Sequence, residues 1–301
     1  MASVCNCNDV SLNTGIPSCV AIGDITRCLI FDTELDSTGS VKERSASDLE
    51  SWSVVETWLN AVSFEDRWLP TPELENVENI RDEAVFQEFN SGNKAKVRDG
   101  FKNFTGYIVQ APRELVGQLK LIGCSDFGAY IIDKSGNLMG YKGSTNTVMR
   151  PILIDKNTLD VQFVEATDSE VAMIMIKFQW KQSMLDENIK LISADELDYS
   201  CADLYGLLDV CGTPVPSSAT DFQVTLTTNY GTNVDGLIAG DFTLTNLTTS
   251  APIVIGSVTA SGSGVYDFVI PAQTTGDVLE LTASKDRYDF DCLADSTFIA
   301  L

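Results

Sequence analysis

The chain has 301 residues, enough for one large domain or two ordinary ones, and its 44% hydrophobic and 21% charged residues are the proportions of a folded globular protein. Against 43 acidic side chains stand only 20 basic ones, and the formal charge of −23 argues against specific nucleic-acid binding and against adhesion to anionic membranes. Histidine is absent, which removes Ser-His-Asp and Cys-His nucleophile pairs and histidine metal ligands.

Residues 1–24 are small and polar, with turn signals at Asn13-Thr-Gly15 and Pro17, and predict an extended N-terminal arm. Met1-Ala-Ser-Val-Cys-Asn-Cys7 has no basic or apolar signal region, and no apolar run is long enough to span a bilayer. Synthesis in a cytoplasm is therefore expected, with any exit by another route. The eight cysteines are Cys5, Cys7, Cys19, Cys28, Cys124, Cys201, Cys211 and Cys292. Their spacing is not that of a zinc knuckle, and they read as buried or idle thiols in a reducing compartment, with late disulfides as the alternative outside the cell.

Residues 25–32 predict a first strand, broken by Ser37-Thr-Gly-Ser40. Ser47-Asp-Leu-Glu50 has capping-box spacing, and Leu49, Trp52, Val55, Trp58 and Leu59 recur at helical intervals, so 48–60 predicts one amphipathic helix with its tryptophans in the core. Trp68-Leu-Pro70-Thr-Pro72 must be extended. Strands are expected at 83–90, 94–98 and 100–110, with a turn at Ser91-Gly-Asn93. Residues 114–122 read as a short helix after Pro112 that packs on a sheet. Two hairpins follow, 127–141 through Lys134-Ser-Gly136 and 159–180 through Thr167-Asp-Ser169, with a further strand at 150–155 between them. Gly136, Gly140 and Gly143 lack the βαβ context of a dinucleotide site, and Gly136 is expected to supply a positive-φ turn position. Lys190-Leu-Ile-Ser193 closes the first domain, 1–200.

Residues 201–216 read as a linker, with a helical turn in its first half and Gly212-Thr-Pro-Val-Pro216 at its end. From 217 to 301 short alternating strands recur between turns: Phe222/Val224/Leu226, Phe242/Leu244/Leu247, Ile253–Val258, Val265–Ile270, Val278–Leu281 and Thr297–Leu301. The expected fold class is mainly β (α+β): a barrel-like or sandwich domain with flanking helices, then a second β-sandwich.

Candidate chemistry is sparse. Carboxylate pairs such as Asp186/Glu187, Asp195/Glu196 and Asp289/Asp291 are expected on so acidic a chain, and catalysis is not expected. Asp286, Asp289, Asp291 and Asp295 are weak candidates for a Ca²⁺ site between loops, although they lack the EF-hand spacing. No cofactor is implied. The remaining candidates are strand positions for assembly with other copies: Tyr130, Ile132, Leu138, Val164, Ile174, Ile176 and Phe178. On this reading the hairpins of 127–180 pair across subunits to build a wall, and aspartate at Ile174 and Ile176 abolishes assembly.

Gly264-Val-Tyr266 and Leu279-Glu-Leu-Thr-Ala283 after Thr275-Gly-Asp277 resemble strands of the immunoglobulin-like domains of bacterial surface and bacteriophage virion proteins. The helix 114–122 followed by the two hairpins resembles, in element order, the tail-tube (major tail) proteins of long-tailed bacteriophages. The arm Cys5-Asn-Cys7…Pro17-Ser-Cys19 also looks like the start of virion proteins from phages of Bacteroidota-type hosts. This resemblance implies a virion structural protein, assembled in the host cytoplasm, whose copies form hexameric rings that stack with other virion proteins. It also implies an acidic lumen for DNA passage and an exterior immunoglobulin-like domain, 217–301, able to touch host-surface glycans weakly. The rivals are a head-decoration or auxiliary capsid protein, and a surface adhesin or carbohydrate-binding module. Ten acidic and two basic residues in 217–301 leave a charge of −15 on 1–216, so the acidity is not confined to the second domain.

Overall fold

The computed structural model describes residues 23–61, 63–294 and 297–301. The predicted N-terminal arm therefore lies almost wholly outside the described residues. Strands hold 46% of the residues and helices 11%, so the protein is mainly β. The chain divides into two compact units, Met1–Gly206 and Leu207–Leu301.

The first unit runs β1 (Thr26–Thr33), β2 (Arg44–Ser45), α1 (Ala46–Glu50), α2 (Trp52–Leu59), β3 (Leu69–Pro70), β4 (Glu75–Arg81), β5 (Val85–Glu88), β6 (Lys94–Arg98) and β7 (Lys102–Val109). It continues with α3 (Glu114–Ile122), β8 (Phe127–Asp133), β9 (Leu138–Lys142), β10 (Val148–Arg150), β11 (Ile152–Val164), β12 (Met173–Trp180) and β13 (Ile189–Ile192). Eleven of these strands form one curled, half-barrel sheet in the order β2-β10-β9-β8-β11-β12-β7-β4, with β1 beside β8, β3 beside β1 and β13 beside β9. Both predicted hairpins form. β8 turns into β9 through Gly136 at φ 88°, and β11 runs against β12 from Ile154↔Trp180 to Val164↔Met173. The separate strand expected at 150–155 is part of this second hairpin: β11 is continuous over thirteen residues, with a register shift between Asp155 and Asp160.

β1 and β8 are buried on both faces, which explains their near-continuous apolar sequences. Alternate residues serve two cores. Leu29, Phe31, Phe127, Ala129 and Ile131 face a cluster with Phe104, Ile174, Ile176, Phe178, Trp180 and the α3 residues Leu119 and Ile122. Cys28, Ile30, Tyr130 and Ile132 face another with Leu49, Val55, Leu59, Trp68 and Tyr199. The predicted helix at 48–60 is two helices. Ser51 between them is extended (ψ 117°), and the Trp52 amide donates to the Asp198 carboxylate. The cap is Ser45, whose hydroxyl accepts from Asp48 N at 3.1 Å; Ser47 does not cap it.

Asp32 is among the charged groups sealed in this unit. The Asp32 side chain has no exposed surface and accepts from Lys42 Nζ (2.6 Å), Arg44 Nε and Nη2 (both 3.1 Å) and Trp68 Nε1 (3.1 Å). The Arg44 guanidinium lies 3.8 Å from the ring centroid of Trp58. A buried carboxylate persists only with such partners.

The second unit is a β-sandwich of β14 (Leu208–Pro216), β15 (Asp221–Thr228), β16 (Phe242–Asn246), β17 (Ala251–Ile253), β18 (Ser257–Gly262), β19 (Val265–Val269), β20 (Val278–Ala283), β21 (Tyr288–Asp289), the short helix α4 (Asp291–Ala294) and β22 (Thr297–Ile299). One sheet is β18-β19-β15-β14-β21 and the other β17-β16-β20-β22. Their inward residues, among them Phe222, Val224, Leu226, Leu244, Tyr266, Phe268, Leu279 and Leu281, make a separate core. The predicted linker is here corrected. Leu208–Pro216 is a strand paired with β15 from Val210↔Thr228 to Pro216↔Phe222, and the unit boundary falls at Gly206. The two prolines misled by composition; β21 accompanies β14 only at Leu208 and Asp209, so Pro214 and Pro216 lie where β14 is an edge strand.

The thiol reading is corrected as well. Cys28 is bonded to Cys201 within the first unit and Cys211 to Cys292 within the second, while Cys124 is free and exposed. Cys5, Cys7 and Cys19 lie outside the described residues.

Candidate assembly surface

Six of the seven strand residues singled out for assembly are interior. Tyr130, Ile132 and Leu138 lie in the core beneath α1 and α2, and Ile174, Ile176 and Phe178 in the core beneath α3. Phe178 stacks on Phe104 with centroids 4.8 Å apart. Val164, at the end of β11, is half-buried. The edges of their strands are also taken. β12 is flanked by β11 and β7, and β8 by β1 on one side and by β9 and β11 on the other. These side chains hold the fold of one copy, so the wall cannot be built by pairing β8 or β12 with another chain.

What remains open lies elsewhere, in a strand the hydrophobic pattern did not reveal. β4, Glu75-Asn-Val-Glu-Asn-Ile-Arg81, pairs with β7 on one side and ends the strand order on the other. Its outer edge is not left flat. Asn76 has φ 49° inside a register shift between Glu75 and Glu78, and both glutamates are exposed. Bulges and charges of this kind blunt an edge against indiscriminate pairing.

The β4–β7 hairpin continues past the sheet as β5 and β6. Among the described residues these pair only with each other, and every residue of both is exposed. The junction is pinched at Gly100, where a Cβ would sit 1.8 Å from the Asp82 carbonyl oxygen, so only glycine fits. Asp82 N donates to Phe101 O at 2.8 Å across the same pinch. Beyond it Phe86 is 57% exposed, Phe89 46% and Val97 59%, while Lys94, Lys96 and Arg98 alternate along β6. The sequence placed both strands and their turn correctly. It did not show that no core of the described residues lies beneath them, although three cations in five residues of so acidic a chain were a signal.

The chain matches no protein-family model and no curated protein. Function must therefore be argued from its own residues.

The carboxylates do not converge. Asp286 precedes β21, Asp289 is its last residue, Asp291 opens α4, and Asp289 Oδ1 accepts from the Asp291 amide at 3.1 Å. Asp295 lies outside the described residues, and among the described residues no three metal-ligating side chains come together. A cleft of about 510 Å³ in the first unit is lined in part by Thr33, Asp36, Glu65, Cys124, Asp126 and Lys156. Hydrogen bonds from the Thr38 hydroxyl and the Ser40 amide hold Asp36 below the ordinary carboxylate range, and the Ser63 hydroxyl does the same for Glu65. Both therefore stay ionised at neutral pH, the wrong direction for a general acid. Among the described residues no helix is long and apolar enough to cross a membrane.

Proposed function

We propose that this chain is a self-assembling structural subunit of a bacteriophage virion. The favoured role is the tail-tube protein, stacked as hexameric rings around an acidic DNA conduit, with the second unit displayed on the exterior. The observation that carries the reading is the curled sheet with an uncovered end at β4, whose hairpin runs on into solvent with apolar side chains exposed. Curved open sheets are stabilised when neighbours cover their ends, and rings of such subunits remove free edges altogether. Subunit contact would run through β4 and its extension, since β8 and β12 have no free edge. The charge of −23 supports the conduit, because a negative wall does not retain DNA as it passes.

Negative-stain imaging of the purified full-length chain, with light scattering for mass, tests the proposal. Hollow rings or tubes are the expected result. Monomers that attach only to capsids would replace the tail-tube role with head decoration.

A further inference from the structure

The extension formed by β5 and β6 is difficult to account for in a chain that stays alone. An isolated two-stranded ribbon is marginally stable in water, and three strands or a packing partner are normally needed. Among the described residues β5 and β6 have neither, yet this extension carries Phe86, Phe89 and Val97 into solvent. The pairing Phe86↔Lys96 and Glu88↔Lys94 places one aromatic ring and two lysines on the same face.

Charge indicates what covers that face. Residues 84–98 contain Lys94, Lys96 and Arg98 against Glu88 alone, a net of +2, which leaves −25 on the other residues of the chain. The cations do have local partners: Lys94 meets Glu88 at 3.5 Å, Lys96 meets Asp99, and Arg98 lies 4.5 Å from the Phe101 ring centroid. The two ion pairs are between exposed side chains, and such pairs contribute little and exchange readily. A basic ribbon on an acidic molecule is attracted to other copies of that molecule and repelled by a second basic ribbon. The contact it favours is therefore ribbon on body, and where that contact repeats head to tail it propagates into a ring or a filament.

We propose that residues 84–98 are a docking arm that lies on the acidic body of a second copy of this chain. Phe86, Phe89 and Val97 are covered on contact, and Lys94, Lys96 and Arg98 exchange their local partners for carboxylates of that copy. The proposal rests on the self-assembly reading and names the element responsible for it.

The test compares the full-length chain with two variants, F86S/F89S/V97S and K94E/K96E/R98E, by sedimentation velocity over a concentration series. Each variant is expected to need at least about tenfold more protein for half-assembly, equivalent to about 1.4 kcal/mol. Raising salt to about 1 M, where the Debye length is about 3 Å, is expected to weaken the wild type and, by screening the new repulsion, to strengthen the charge-reversed variant. Because these side chains touch neither core, the far-ultraviolet spectrum and melting temperature of the monomers should match the wild type, which confirms that the variants fold. A photo-cross-linking benzoylphenylalanine at position 86 should join two chains. If both variants assemble at the wild-type concentration, the arm is overturned while self-assembly stands; a wild type that remains monomeric throughout overturns both. Cross-links confined to one chain, for instance to residues 1–22, would give the arm an intramolecular occupant and reject the second copy.

Discussion

At the scale of single residues, the least forgiving position is Asp32. Its carboxylate is the counter-charge for both Lys42 and Arg44, whose side chains are themselves only 5% and 10% exposed. Asp32→Ala leaves two buried cations facing an empty site, and breaking a buried pair in this way costs about 3–5 kcal/mol. Urea unfolding of the variant should show that loss; a change below about 1 kcal/mol would mean that water reaches the site. Two tyrosines make a second prediction. Burial, with the Asp32 charge added, pushes the Tyr130 hydroxyl well above its ordinary value of 10, and burial with the Asp198 charge raises Tyr199. The fold thus keeps protons that the unfolded chain releases, so stability is intact below pH 10 and falls as pH rises beyond it. Tyr199→Phe should lower stability at neutral pH, because Leu49 O loses its 2.8 Å donor, yet flatten the alkaline decline. An unchanged alkaline slope would remove Tyr199 from the account.

At the scale of elements, alternation and turn residues made both hairpins, α3 and most strands of the second unit legible. Alternation reports that a face is buried but not by what. Ile174 and Ile176 read as an apolar face available to a neighbour, whereas the face belongs to the chain's own core, with both residues fully buried. Ile176→Asp should therefore abolish folding before assembly is reached, giving insoluble or protease-sensitive protein. A soluble monomer with a native spectrum would restore the interface reading. β4 escaped notice for the complementary reason: as an edge strand rich in glutamate and asparagine it buries little, and its existence depends on β7. The Ser51 break also lay beyond local pattern, because Asp198, which holds Trp52, is remote in sequence. The pinch at Gly100 permits a sharper test. Gly100→Ala drives a methyl group into the Asp82 carbonyl, so the base of the arm must splay. Assembly should weaken while both cores, and hence the melting temperature, change little.

At the scale of the whole molecule, the acidic, histidine-free, two-part, mainly β character was readable from composition and spacing, but the covalent plan was not. Cysteine positions alone do not reveal which pairs meet. The structure places each bond inside one unit: Cys28–Cys201 joins the first described strand of one unit to its last turn, and Cys211–Cys292 ties β14 to α4 in the other. The second unit has its own core of aromatic and aliphatic residues, with Phe222 stacked on Phe268 at 4.5 Å between centroids. A unit with its own core and its own cross-link should fold without the rest of the chain. Expressed alone from Leu207 to Leu301, it should unfold in one cooperative transition. Reduction should destabilise it by about 2–4 kcal/mol, because a long loop is released in the unfolded chain. Peptide mapping under non-reducing conditions should recover Cys211 joined to Cys292. Were the fragment unfolded while oxidised, its stability would have to come from the first unit, and the sandwich could not serve as an independently displayed domain. Were it folded and indifferent to reductant, the bond would be dispensable and the sandwich core sufficient by itself.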